Sequence, residues 1–281
     1  MPNKKTAYIQ DNVFLYAGSK SVSMWGENSG VSPTYFDWVS DIPTNKTVFF
    51  TDACIYDAHI FKCARKVAWL CEPPPFRQGH YDYVKWNEHM FDYILTFDQR
   101  LLEKGNPKYL FYPMGGSFIH PDRWKKTPKV KLVSLVLSEK TEATGHKLRH
   151  LIAKEFGDRI DVIGSGSPTG RYVNKYDALA DYAYTICVES ERLNWFFNDK
   201  LVDAWAMRTI PLYWGCPQIL QFGWVRMFET FQELDTLLNS INMDDYFAVI
   251  DVLENNYRNA FTYYCAEDWI YEQYPFLFEE R

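Results

Sequence analysis

Between Glu189 and Gly215 the chain carries residue types suited to holding a charged leaving group. The run Tyr184-Thr185-Ile186-Cys187-Val188 reads as a buried strand that ends in Glu189. A polar, aromatic loop follows, and Asn198-Asp199-Lys200 then opens a helix. Asn198 has the side chain of an N-cap. A lysine in a first helical turn opposes the helix dipole, whereas a bound diphosphate meets both the ammonium and the dipole. A lysine that simply points to solvent is the plain alternative. A second carboxylate, Glu72, closes Val67-Ala68-Trp69-Leu70-Cys71 and precedes three prolines. Beside apolar surface its pKa would rise toward neutrality, which suits a general base; a solvated loop carboxylate is the other reading.

These groups need rigid elements to position them. Short β-branched or aromatic runs at 48–50, 67–70, 93–97 and 109–112 read as buried strands, with helical spacing at 55–64 and 83–91. The basic stretch Arg123 to Lys129 contains Pro128 and reads as a linker. A second series follows, with strands at 130–137, 161–164, 184–188 and 209–213 and helices around 148–156, 176–182 and from 198. From Met243 onward the chain is helical and aromatic. Strand–helix alternation on both sides of a linker predicts two α/β units with parallel sheets, 1–126 and 127–262, and an aromatic tail at 263–281. Ligands of such sheets sit at the C-terminal strand edges.

Composition narrows the class. The 281 residues carry 30 basic and 36 acidic side chains, a net charge of −6, which argues against a nucleic-acid-coating surface. No apolar run is long enough for a membrane span, and the first residues do not read as a secretory signal. Six scattered cysteines fit neither a zinc site nor a disulfide framework and point to a reducing, cytoplasmic setting. The phosphate-loop, dinucleotide, nucleophile-elbow and H-E-x-x-H motifs are all missing. Gly164-Ser165-Gly166 suits a turn at least as well as a phosphate contact. No D-x-D pair is present, so neither a divalent metal nor another cofactor is expected. Aromatics reach 18%, and rings with polar tips suit sugars as well as cores.

The order of these pieces resembles the donor motif of the family 10 glycosyltransferases, the α-1,3/1,4-fucosyltransferases. The matching segments are Val188-Glu189-Ser190, Phe196-Phe197-Asn198-Asp199-Lys200-Leu201 and Ile210-Pro211-Leu212-Tyr213-Trp214-Gly215. Val67 to Pro74, Phe91 to Asp98 and Val133 to Ser138 are similar to that family's first-half motifs, so the likeness covers roughly residues 47–235. It implies a GT-B fold, two facing Rossmann-like domains around a cleft. It also implies inverting, metal-independent transfer from a nucleotide sugar, by default GDP-fucose, to a carbohydrate acceptor. Glu72 takes the place of the general base. Lys200, Asp199, Glu189, Asn198 and Phe196 fall on the donor site, with Ser138 before the pyrophosphate loop. Trp195, Tyr213 and Trp214 are further candidates to flank base or sugar, although packing is the simpler role for each.

Two departures stand out. The family's pyrophosphate arginine falls near Gly145, where His146, Lys147 and Arg149 are the nearby substitutes, and its Glu before the lysine is Asp199 here. Both keep another donor, such as UDP-xylose, open. A non-catalytic carbohydrate- or nucleotide-binding module is the reading from a different class. A sugar-phosphate isomerase or epimerase lacks its glycine fingerprint. With no anchor recognised, a bacterial or viral cytosolic glycan-building enzyme is the expected setting.

Overall fold

The structure is a computed structural model and describes residues 4–279 apart from 13, 16, 17, 169 and 171–173. The chain forms two compact units, Met1–Gly116 together with Cys265–Arg281, and Ser117–Tyr264.

The first unit is built on six strands: β1 (Lys5–Gln10), β2 (Phe36–Val39), β3 (Thr47–Thr51), β4 (Arg65–Trp69), β5 (Tyr93–Thr96) and β6 (Tyr109–Phe111). They lie in the order β2-β1-β3-β4-β5-β6 and every pair is parallel. Alternation along β3 divides the core. Phe50 joins Ala68, Leu70, Tyr81 and Val84 under the helix Pro74–Trp86. Phe49 meets Trp38, Trp69 and Phe278 on the opposite face. That helix begins at the proline run because proline suits a first turn. The helical spacing at 83–91 therefore marks its last turn and a following 3₁₀ turn, Glu88–Met90. The 55–64 segment is a 3₁₀ helix, Asp52–His59.

The aromatic end is not a separate tail by its contacts. Tyr271 stacks on Tyr35 with centroids 4.5 Å apart, and the Tyr274 hydroxyl donates to the Phe111 carbonyl at 2.8 Å. Glu267 is fully buried. It accepts from Ser21 Oγ (2.8 Å), Ser23 Oγ (2.6 Å) and the Val22 N–H (2.5 Å), which ties the final helix to the loop after β1.

The second unit holds β7 (Lys131–Val136), β8 (Asp161–Ile163), β9 (Tyr182–Val188), β10 (Ile210–Trp214) and β11 (Arg226–Met227), in the order β11-β10-β9-β7-β8, again all parallel. Every residue of β9 and β10 is buried, the signature of strands covered on both faces. The stretch 123–129, expected as a linker, is part of this core. Trp124 is 3% exposed and packs edge-on against Phe261 and Tyr264. The Lys129 ammonium donates to the carbonyls of Leu179, Ala180 and Met207 and to Thr209 Oγ1. Those four acceptors offset a burial that pushes its pKa down to about 7. The unit therefore starts at Ser117, ten residues before the expected boundary at 127.

Candidate functional site

In the second unit the chain order reverses between β7 and β9, the position where open parallel sheets bind ligands. The helix Thr144–Phe156 leaves β7 there, and the loop 189–198 leaves β9. Gly145 lets the two approach. Its N–H donates to the Ser190 carbonyl at 2.8 Å, and a Cβ at this position would overlap the Glu189 carbonyl. Gly215 gives similar room, since a Cβ there would strike Glu189 Cγ and the Tyr213 hydroxyl.

Glu189 is completely buried between these glycines. Oε1 accepts the Asn198 N–H at 3.1 Å, and Oε2 lies 3.5 Å from Lys200 Nζ. Burial raises the Glu189 pKa, and Lys200 opposes the rise. Asn198 caps the helix Asp199–Ala206 as expected, accepting from the Lys200 N–H (3.3 Å) and from Lys200 Nζ (2.9 Å). The lysine at the helix start is thus partly compensated inside the protein, by Glu189 and Asn198.

Of the three substitutes for the pyrophosphate arginine, the structure brings one into this group. Lys147 is exposed on the helix surface. His146 turns its Nδ1 toward the Ala143 N–H (3.3 Å), and burial with Arg149 and Lys200 pushes its pKa down to about 4, so the ring is neutral near pH 7. Arg149, one turn beyond Gly145, is 7% exposed. Burial lowers its pKa, while Glu189 and Asp199 hold it up. Its guanidinium makes no hydrogen bond among the described residues.

Asp199, expected on the donor site, is 6% exposed. It forms an ion pair with Lys175, whose ammonium also lies 3.3 Å from Asp203 Oδ2 and 3.9 Å from the Phe118 ring centroid. Burial pushes Asp199 up, but Lys175 and Lys200 outweigh it and hold the carboxyl below its ordinary value. Asp203 further accepts from Ser117 Oγ (2.6 Å) and from the N–H groups of Phe118 and Ile119. Neither Lys175 nor Asp203 is apparent from motif matching. Lys175 opens the helix Lys175–Leu179 after the N-cap Asn174, the same lysine-at-a-helix-start anomaly that marks Lys200, so the signal was present.

The other candidates are placed as follows. Phe196 is 2% exposed and Tyr213 fully buried, its hydroxyl accepting the Cys216 N–H at 3.0 Å. Trp214 belongs to the sheet core beside Leu212. Trp195 adopts a left-handed backbone (φ 67°) and meets Phe222 edge-on. Ser138 follows β7, and Gly166 packs against its carbonyl. Gly164 has φ 120° and presses on Leu137, so Gly164-Ser165-Gly166 takes its shape from close backbone packing.

In the first unit, four neighbouring strands, β1, β3, β4 and β5, each lead into a carboxylate: Asp11, Asp52, Glu72 and Asp98. Three serve local backbone. Asp11 accepts the N–H groups of Phe14 and Leu15. Asp98 caps Arg100 and pairs with its guanidinium at 2.6 Å. Asp52, held at φ 34°, accepts the Cys71 N–H (2.8 Å) and the Glu72 N–H (3.1 Å). Glu72 is half-buried and fixed by its backbone, N–H to Asp52 and carbonyl to the Tyr81 hydroxyl at 2.9 Å. Among the described residues no His, Cys, Asp and Glu cluster is arranged to hold a metal ion, and no helix is long and apolar enough to cross a membrane. All six cysteines are unpaired.

The chain is thus two α/β units, each built on an all-parallel sheet. In sequence and in fold it is similar to α-1,3-fucosyltransferases. No protein-family model matches it. Over 130 residues it is 26% identical to the alpha-(1,3)-fucosyltransferase FucT of Helicobacter pylori, a match that takes in 37% of this chain and 27% of that protein's length. Two solved structures, an alpha1,3-fucosyltransferase and an alpha1,3-fucosyltransferase with GDP, share the fold at TM-scores of 0.52 and 0.51. Sequence identities are 16% and 15%, and each superposition covers 99% of this chain and 90% of the other.

Proposed function

We propose that the protein is an inverting, metal-independent glycosyltransferase that moves a sugar from a nucleotide-diphosphate sugar to a glycan hydroxyl. The observation that carries this reading is the pair of cations at the switch point of the second unit. Lys200 stands at a helix start, and Arg149 is a nearly buried guanidinium that makes no hydrogen bond among the described residues. Guanidinium and ammonium groups are the usual partners of a diphosphate. They would stabilise charge on the departing nucleotide in place of a metal. Glu72 is the proposed base that takes the acceptor proton as that oxygen attacks the anomeric carbon. GDP-fucose is the proposed donor, by likeness to the fucosyltransferases. The free cysteines support a cytoplasmic setting, and we keep a bacterial or viral origin as the expectation.

Lys200→Ala tests the donor site. It should weaken GDP-fucose binding by about 1.5–3 kcal/mol, the range for hydrogen bonds to charged groups. Unchanged affinity in a folded variant, measured by calorimetry, removes Lys200 from the site. Chelation tests the metal. Turnover should persist in excess EDTA, and loss of activity restored by Mn²⁺ would refute the metal-free mechanism.

One observation favours a second donor. Asp199 stands where the family motif has a glutamate, so its carboxylate is one methylene shorter and already engaged by Lys175. A UDP-pentose such as UDP-xylose is the corresponding reading, and thermal-shift ranking of GDP-fucose, GDP, UDP and UDP-xylose separates the two.

A further inference from the structure

We propose that a nucleotide-diphosphate sugar entering the second unit's switch-point site brings uptake of one proton by Glu189. The inference rests on the donor reading above. The geometry leaves this carboxylate few ways to tolerate added negative charge. The Glu189 side chain has no exposed surface, and Gly145 crowds its backbone carbonyl and Gly215 its Cγ without space for a Cβ. Asn198 N–H satisfies Oε1, but among the described residues Oε2 accepts no hydrogen bond and pairs only loosely with Lys200 Nζ, at 3.5 Å.

The groups facing Glu189 are few. The helix Thr144–Phe156 contributes Arg149, and the helix Asp199–Ala206 contributes Asp199 and Lys200. Cys187 comes from β9, Tyr213 from β10 and Cys216 from the turn beyond it. Burial pushes the thiols and the phenol upward, so they stay neutral. Two carboxylates therefore face two cations. Lys175 and Asp203 extend this ionic network beyond Asp199.

A diphosphate at Lys200 and Arg149 draws on the same two cations. Lys200 cannot give its full charge to both anions, and the buried carboxylate is the partner with no recourse to water. Burial already raises the Glu189 pKa, and Lys200 is the first group opposing it. Weakening that opposition moves Glu189 toward its neutral form, in which Oε1 can still accept the Asn198 N–H. The rival proton acceptor is His146, coupled to Arg149 and Lys200 and neutral before binding.

The linkage has a definite sign. A site that gains a proton on binding is tightest below the free-state pKa and weakens as pH rises toward the bound-state value. The test is calorimetry of GDP-fucose binding to the intact chain in phosphate and in Tris, which differ in ionisation enthalpy. The probe's diphosphate is esterified at both ends and carries no proton near neutrality. The expected result is uptake of about one proton and up to about tenfold weaker binding per pH unit across the window. Glu189→Gln should abolish the uptake and flatten the pH profile, and His146→Asn should leave both in place. Binding without uptake overturns the inference, as does uptake that survives Glu189→Gln or disappears in His146→Asn. No binding of GDP-fucose at all sinks the donor reading instead, and this inference with it. Should Glu189→Gln fail to fold, infrared difference spectra decide the matter: a protonated-carboxyl band that appears when GDP-fucose binds and persists in Asp199→Asn and Asp203→Asn supports the inference, and the absence of such a band overturns it.

Discussion

Glu72→Gln should lower kcat by about 10²–10⁴-fold while nucleotide affinity stays nearly constant. Gln keeps the side-chain shape but cannot accept the acceptor's proton. The backbone contacts that fix this position, Asp52 to its N–H and the Tyr81 hydroxyl to its carbonyl, do not involve the side chain that changes, so the variant should fold. Steady-state kinetics beside donor calorimetry give the answer. Near-full activity would transfer the role to another carboxylate. Asp98, the next carboxylate along this sheet edge, is committed to Arg100. Asp92 accepts the Lys66 N–H at the opposite edge of the sheet, where β4 and β5 begin. Loss of folding or of donor binding in Glu72→Gln would make Glu72 structural.

Asp203→Ala should destabilise the second unit by about 3–5 kcal/mol, the cost of breaking a buried ion pair from one side. Asp203 is fully buried and receives Ser117 Oγ, two backbone N–H groups and the Lys175 ammonium. Truncation leaves all four donors short of an acceptor at once. Asp203→Asn keeps the volume and one oxygen, so it should cost less than the alanine and thereby separate charge from packing. Urea denaturation of the two variants beside the parent measures both. A loss under about 1 kcal/mol for Asp203→Ala would mean that Lys175 finds water or rests on Asp199 alone.

The sheet architecture was open to direct reading. Runs such as 130–137 and 184–188 are apolar on both faces, and only a covered parallel strand wants that pattern. Glu189, Asn198 and Lys200 could be found because strand end, cap and helix start are local events. What stayed hidden was set by contacts distant in sequence. Arg123 to Lys129 looks like a linker by charge, yet Trp124 lies in the core and Lys129 reaches carbonyls about fifty and eighty residues on. Asp199 falls on the donor site by its motif, while its ion pair with Lys175, 24 residues earlier in the chain, lies beyond local reading. Phe196 and Tyr213 are residue types that suit a sugar or a core, and their burial is set by contacts that the local sequence does not display. β1 and β2 are harder to read because polar and apolar residues mix along both, Lys5–Gln10 and Phe36–Val39, with no continuous apolar run.

The return of Cys265–Arg281 to the first unit has a consequence for synthesis. Ser117–Tyr264 is one uninterrupted stretch and can complete its contacts as soon as it clears the ribosome. The first unit, although its strands emerge earlier, must wait for Glu267 before Ser21, Val22 and Ser23 find their acceptor. The portion made first is thus the portion finished last, and until then the aromatic face around Phe36 and Phe49 lacks Phe278 as its cover.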